Sequence, residues 1–223
     1  FYTCLEVCQI PGMEVYWESF RWMLTHGADP NTEAPWGDTP LHTACWWPDP
    51  RYADYLLQHG ADPNVCTENS TPLHRAAMFG YLEVAKRLLD HGARANVRGH
   101  WGETPLHAAS TSSSRIKEGH NKIMMALLLD HGAEVNAQVE RNAEKQWTAG
   151  ETPLHSAVHH SAKLNGQFLL ERGAFPTIRD AKGFTPIELI TQKQQHRIPE
   201  LGTPVPEETK QQILEILERA ART

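Results

Sequence analysis

The side chains that could do chemistry in this sequence are mostly histidines. Thirteen occur among 223 residues, together with four cysteines and 27 acidic residues. Imidazole, thiolate and carboxylate are the ligands of zinc and the groups of acid–base catalysis, so those are the chemistries to test first. Eight of the histidines fall into two recurring phrases. His42, His74, His107 and His155 close the phrase Thr-Pro-Leu-His, and His26, His59, His91 and His131 open the phrase His-Gly-Ala. A residue that recurs together with its flanks serves a framework rather than one reaction. Of His100, His120, His159, His160 and His196, only His159 and His160 adjoin. No further ligand stands at zinc-site spacing, so that pair reads as partner-facing. Cys4 and Cys8 share one helical face, yet no second Cys or His pair completes a tetrahedral set.

Other catalytic signatures are missing. The chain contains no Gly-rich phosphate loop, no nucleophile elbow and no His-Glu-x-x-His. Glu207 and Glu208 open a helix, where acids favour the helix dipole. The expectation is therefore no catalytic residue, no metal and no cofactor: a protein that is not an enzyme. The net charge of −6 argues against a nucleic-acid binder. The longest apolar run, Ile123–Leu129, is far short of the roughly 20 residues a membrane span needs. No signal-peptide pattern opens the sequence, and its start at Phe1 reads as a domain boundary. Cys4, Cys8, Cys45 and Cys66 lack the spacing of a disulfide framework, which points to a reducing intracellular compartment, cytoplasmic or nuclear.

The elements that position these residues repeat. Thr-Pro-Leu-His begins at Thr39, Thr71, Thr104 and Thr152, and a degraded copy, Thr-Pro-Ile-Glu, begins at Thr185. His-Gly-Ala begins at His26, His59, His91 and His131, after a pair such as Leu56-Leu57 or Leu88-Leu89, and Arg-Gly-Ala follows the fourth Thr-Pro-Leu-His at Arg172. The pattern resembles the ankyrin repeat, a unit of about 33 residues with a Thr-Pro-Leu-His-x-Ala core. Added residues near Ser110–His120 and Val139–Thr148 account for the one long spacing. Thr caps each first helix, Pro fits its first turn, and Gly ends the second helix in a left-handed turn. Gly37, Gly102, Gly150 and Gly183 mark the turn of a finger-like hairpin, with Asn69 in the second repeat.

The resemblance implies an all-α solenoid of stacked helix pairs with protruding fingers, five to six repeats including partial caps. It is read as one domain over 1–223. A partial repeat spans 1–31, and repeats span 35–67, 68–99, 100–147 with the insertions, and 148–180. A capping repeat spans 181–223. Helices are expected near Glu14–Thr25, Pro186–Gln194 and Glu207–Ala221, the last with Ile213, Leu214, Ile216 and Leu217 on one face.

The family binds partners in the concave groove formed by finger tips and first helices. Aligned on Thr-Pro-Leu-His, the finger-tip position carries Trp36, Glu68, Trp101, Ala149 and Lys182. The position before the Thr carries Asp38, Ser70, Glu103, Glu151 and Phe184. The end of the first helix carries Trp46/Trp47, Met78/Phe79, Thr111/Ser112 and His159/His160. With repeats about 10 Å apart, the first three repeats could line up one apolar strip. Asp38, Glu68, Glu103 and Glu151 would border it, which implies a protein or peptide ligand with an apolar anchor and basic flanks. Trp46 and Trp47 have a second reading, in which one of them plugs the loop rebuilt by Pro48 and Pro50. Resemblance to hydroxylated ankyrin repeats marks Asn64 and Asn136 as modification sites; the alternative is that they bond turn backbone. The resulting expectation is a monomeric protein–protein interaction module. The alternatives are the recruiting arm of an enzyme or ubiquitin-ligase assembly and a tethering scaffold.

Overall fold

A computed structural model describes residues 15–68, 70–111, 120–140, 149–160, 162–193 and 207–222. Cys4, Cys8, Asn69, Ser112, Trp147 and His196 lie outside the described residues. Helices α1 (Val15–Thr25), α2 (Pro40–Ala44), α3 (Pro50–Gln58), α4 (Pro72–Phe79), α5 (Leu82–Asp90) and α6 (Pro105–Ser110) are followed by five more. These are α7 (His120–Asp130), α8 (Pro153–His159), α9 (Lys163–Glu171), α10 (Pro186–Lys193) and α11 (Glu207–Ala221). Most are too short to persist alone in water, so packing between them supplies their stability. Each first helix packs on its own second helix and on the first helices before and after it; second helices stack likewise.

The repeated phrases explain each boundary. Thr39, Thr71, Thr104 and Thr152 take extended backbone at the N-cap, with Pro at the first helical turn. The histidine three residues later has two jobs. In the first repeat its Nδ1 accepts the Thr39 N–H at 3.2 Å, and its Nε2–H donates to the Ser70 carbonyl of the next repeat at 3.0 Å. His74, His107 and His155 reach Glu103, Glu151 and Phe184 carbonyls in the same way. A carbonyl only accepts, so each ring carries its proton on Nε2. Burial lowers the pKa of all four, to about 4 for His42 and about 3 for His107.

Second helices end alike. Gly60 takes φ +89°, its N–H bonds the Leu57 carbonyl, and the Ala61 N–H bonds the Leu56 carbonyl. That double closure needs a left-handed residue followed by a small apolar one, which is why Gly-Ala recurs. The two leucines ahead of it are not equivalent: Leu56, Leu88, Leu128 and Leu169 are fully buried, while Leu129 and Leu170 are only half-buried.

A second ladder runs through the turns. Asn64 Nδ2 donates to the Gly92 carbonyl at 3.0 Å, and its Oδ1 accepts the Arg94 N–H at 2.8 Å. Asn31, Asn96 and Asn136 clamp the following turns with the same two bonds. The fingers are closed by short bonds such as Gly99 N–H to the Glu103 carbonyl at 2.8 Å, not by extended strands among the described residues. Neighbouring fingers touch. A Cβ on Gly150 would lie 2.7 Å from the Ala181 nitrogen, and its φ is +76°, so both space and conformation require glycine there.

Candidate partner-binding groove

The finger tips and first-helix ends carry exposed aromatic side chains. Trp36 is 52 % exposed, Trp46 44 % and Trp47 37 %; Met78 and Trp101 are exposed and Phe79 is half-buried. Neither Trp46 nor Trp47 is a core plug. Trp46 is nevertheless well supported. Its ring lies over the Arg75 guanidinium at 4.9 Å and packs against Phe79 at 5.1 Å between centroids. The Tyr81 hydroxyl donates to the Trp46 carbonyl at 3.2 Å, and Tyr81 stacks on Phe79 at 5.6 Å. A cation–π contact to a partly exposed ring contributes about 1 kcal/mol.

The acids lie differently from the rim arrangement the alignment implies. Asp38 is only 5 % exposed, and its Oδ1 accepts Arg75 Nη2 at 2.6 Å and the Thr67 hydroxyl at 3.3 Å. It is therefore not a rim charge: an arginine one repeat later draws it inward. Glu103 is half-buried and accepts the Trp101 N–H at 3.0 Å. Glu151 is buried, with Oε1 2.9 Å from His159 Nε2. Glu68 and His160 are exposed. Thr111 is half-buried at the end of α6, where its carbonyl accepts from Asn121 Nδ2.

Arg75 and Tyr81 were not singled out from sequence. The signal for Arg75 was a lone guanidinium within the apolar run of "LHRAAMF", because a buried cation requires a carboxylate partner. Cys45, beneath this cluster, is fully buried and its thiol is pushed up to about 12, so it is a packing residue and not a nucleophile. Among the described residues no group of His, Cys, Asp or Glu could hold a metal ion. No described helix is long and apolar enough to cross a membrane. The Asn64 and Asn136 amides are each committed to backbone of the next repeat.

The family described as "Ankyrin repeats (3 copies)" matches residues 15–99 and 95–180. The chain belongs to the ankyrin-repeat family. The ankyrin fold is a non-catalytic protein–protein interaction fold, and its repeats bind protein partners. An ankyrin repeat protein of fowlpox virus (strain NVSL) is 38 % identical over 180 residues, 79 % of this chain and 34 % of its own length. Rabankyrin-5 of Mus musculus is 33 % identical over 98 residues, 42 % of this chain and 8 % of its own length. The chain thus spans about a third or less of these relatives.

Proposed function

We propose that this ankyrin domain docks a protein or peptide segment in its concave groove, through the finger tips and first-helix ends of the first three repeats. The observation that carries the reading is the exposure of Trp36, Trp46, Trp47, Met78 and Trp101 at family groove positions. Tryptophan is a favoured hot-spot residue, because its burial at an interface removes a large apolar area from water. The mechanism is hot-spot burial with no covalent step, so the domain itself is not an enzyme and uses no cofactor.

The apolar anchor is kept in this reading, and the basic flanks are narrowed. Asp38, Glu103 and Glu151 are each engaged within the domain, which leaves Glu68 as the acid able to meet a basic residue. His159 and His160 belong to the groove's other end, where the aromatic strip stops. Hydroxylation of Asn64 or Asn136 stays a proposal, and it requires opening of the inter-repeat clamp first. An intracellular, monomeric setting is proposed with it.

The test is capture of a partner by Trp36→Ala/Trp101→Ala protein. Capture falls at least about tenfold while the melting curve is unchanged; equal capture by a folded variant rejects the groove. A second reading is the recruiting arm of an enzyme or ubiquitin-ligase assembly, favoured by relatives much longer than the matched region. It uses the same groove.

A further inference from the structure

The Arg75–Asp38 pair sits directly beneath the most supported of the exposed aromatic residues. Both side chains are more than nine-tenths buried, and they join two repeats: Asp38 precedes the first Thr-Pro-Leu-His, and Arg75 follows the second. The other residues at the Arg75 position are Thr43, Ala108 and Ser156, so the guanidinium belongs to this interface alone. Arg75 has no freedom to reorient, because its carboxylate partner is buried with it. Trp46 meets that fixed plane on one side, Phe79 on another, and its own carbonyl is tied to Tyr81. The indole is exposed yet held by two contacts to its ring, and its backbone by a third.

We propose that Arg75 is a positioning residue for recognition: locked to Asp38, it holds the Trp46 indole as a rigid platform that takes an uncharged aliphatic or aromatic side chain of the partner. This rests on the groove reading. The charge argument sets the ligand class. An aromatic face attracts one cation through its quadrupole, and at Trp46 that cation is already supplied from within the domain. A lysine or arginine of the partner laid on the same ring would add a second cation to a quadrupole that Arg75 already occupies, and the buried Arg75–Asp38 pair, neutral overall, offers it no free carboxylate. An uncharged anchor meets neither penalty. A restrained indole also loses less freedom on binding than a mobile one.

The test uses the full chain labelled with 5-fluorotryptophan, with the Trp46 signal assigned by Trp46→Phe, and a displayed library of random peptides panned on the unlabelled protein. In the unsubstituted chain the Trp46 fluorine line is expected to be as insensitive to temperature as that of half-buried Trp17, unlike that of Trp47. Arg75→Lys keeps the charge and removes the planar guanidinium from beneath the ring. It is expected to shift the Trp46 line, leave Trp101 in place and weaken the selected peptides at least about tenfold. The selected peptides share one large apolar residue with no Lys or Arg beside it.

A Trp46 line averaged like that of Trp47 overturns the inference even if Arg75→Lys fails to fold. So does enrichment of basic residues at the anchor, or peptides that need Trp36 and Trp101 but bind Arg75→Lys normally. Peptides indifferent to Trp36→Ala/Trp101→Ala, or a library that yields no binder, overturn the groove reading itself.

Discussion

Two places in the solenoid share a register and differ in what answers it. In the first repeat the residue before Thr39 is Asp38, buried against Arg75. In the fourth the residue before Thr152 is Glu151, buried 2.9 Å from His159. Arginine is charged at every working pH, whereas histidine carries charge only when protonated. The first pair therefore couples two repeats through fixed opposite charges. The second lies within a single repeat and sets the carboxylate against an imidazole at 2.9 Å, with no guanidinium. The aromatic strip follows the first arrangement, and the histidine end of the groove follows the second.

Acid should have the largest effect, and it acts on both places at once. Four buried histidines have pKa values below the free value of about 6.5. The unfolded chain therefore binds more protons below pH 6.5. The ladder's contribution is complete above that value and is lost as pH falls to about 4 for His42 and about 3 for His107. Urea melts at pH 7, 5 and 4 should show a steadily falling midpoint. A midpoint unchanged down to pH 4 would mean that the imidazoles are not held neutral.

Next in size is Arg75→Met, which strands the Asp38 carboxylate in the core and should cost about 3–5 kcal/mol. Adding Asp38→Leu should restore most of it. If the double variant is as unstable as the single one, lost packing and not lost charge explains the effect. The matching change at the other site, Glu151→Gln, should cost about 1 kcal/mol, because an isosteric amide strands no charge in the core. Equal losses at the two sites, measured in the same urea melts, would erase the contrast between them.

Much of this architecture was legible beforehand, because Thr-Pro and Gly-Ala punctuate the chain. The helix expected near Glu14–Thr25 runs over Val15–Thr25, and the last helix covers Glu207–Ala221 as read. Groove polarity was less legible. Alignment places the Cα of Asp38 at the rim, but its side-chain direction depends on Arg75, 37 residues later. The two readings of Trp46 and Trp47 could not be separated by spacing, because the support beneath Trp46 comes from Arg75, Phe79 and Tyr81 of the next repeat.

The smallest effect expected is a gain. In α9, Asn165 and Gly166 occupy the register held in α5 by Val84 and Ala85, which makes the fourth repeat less apolar than the second. A Cβ on Gly166 would lie 3.8 Å from Leu154 Cδ1, an ordinary contact inside a helix. Gly166→Ala should raise stability by about 0.5–1 kcal/mol, visible as a higher thermal midpoint. A lower midpoint would show that this helix is closer to its neighbours than its backbone position indicates.

The histidine ladder also bears on how the chain could grow. Three of its rungs span 28 or 29 residues, from His42 to Ser70, His74 to Glu103 and His155 to Phe184. The fourth, from His107 to Glu151, spans 44 residues at the same length of 3.0 Å. Extra sequence entered between two fixed points without moving either. Such a gap can take sequence of different length while the rungs on both sides keep their register.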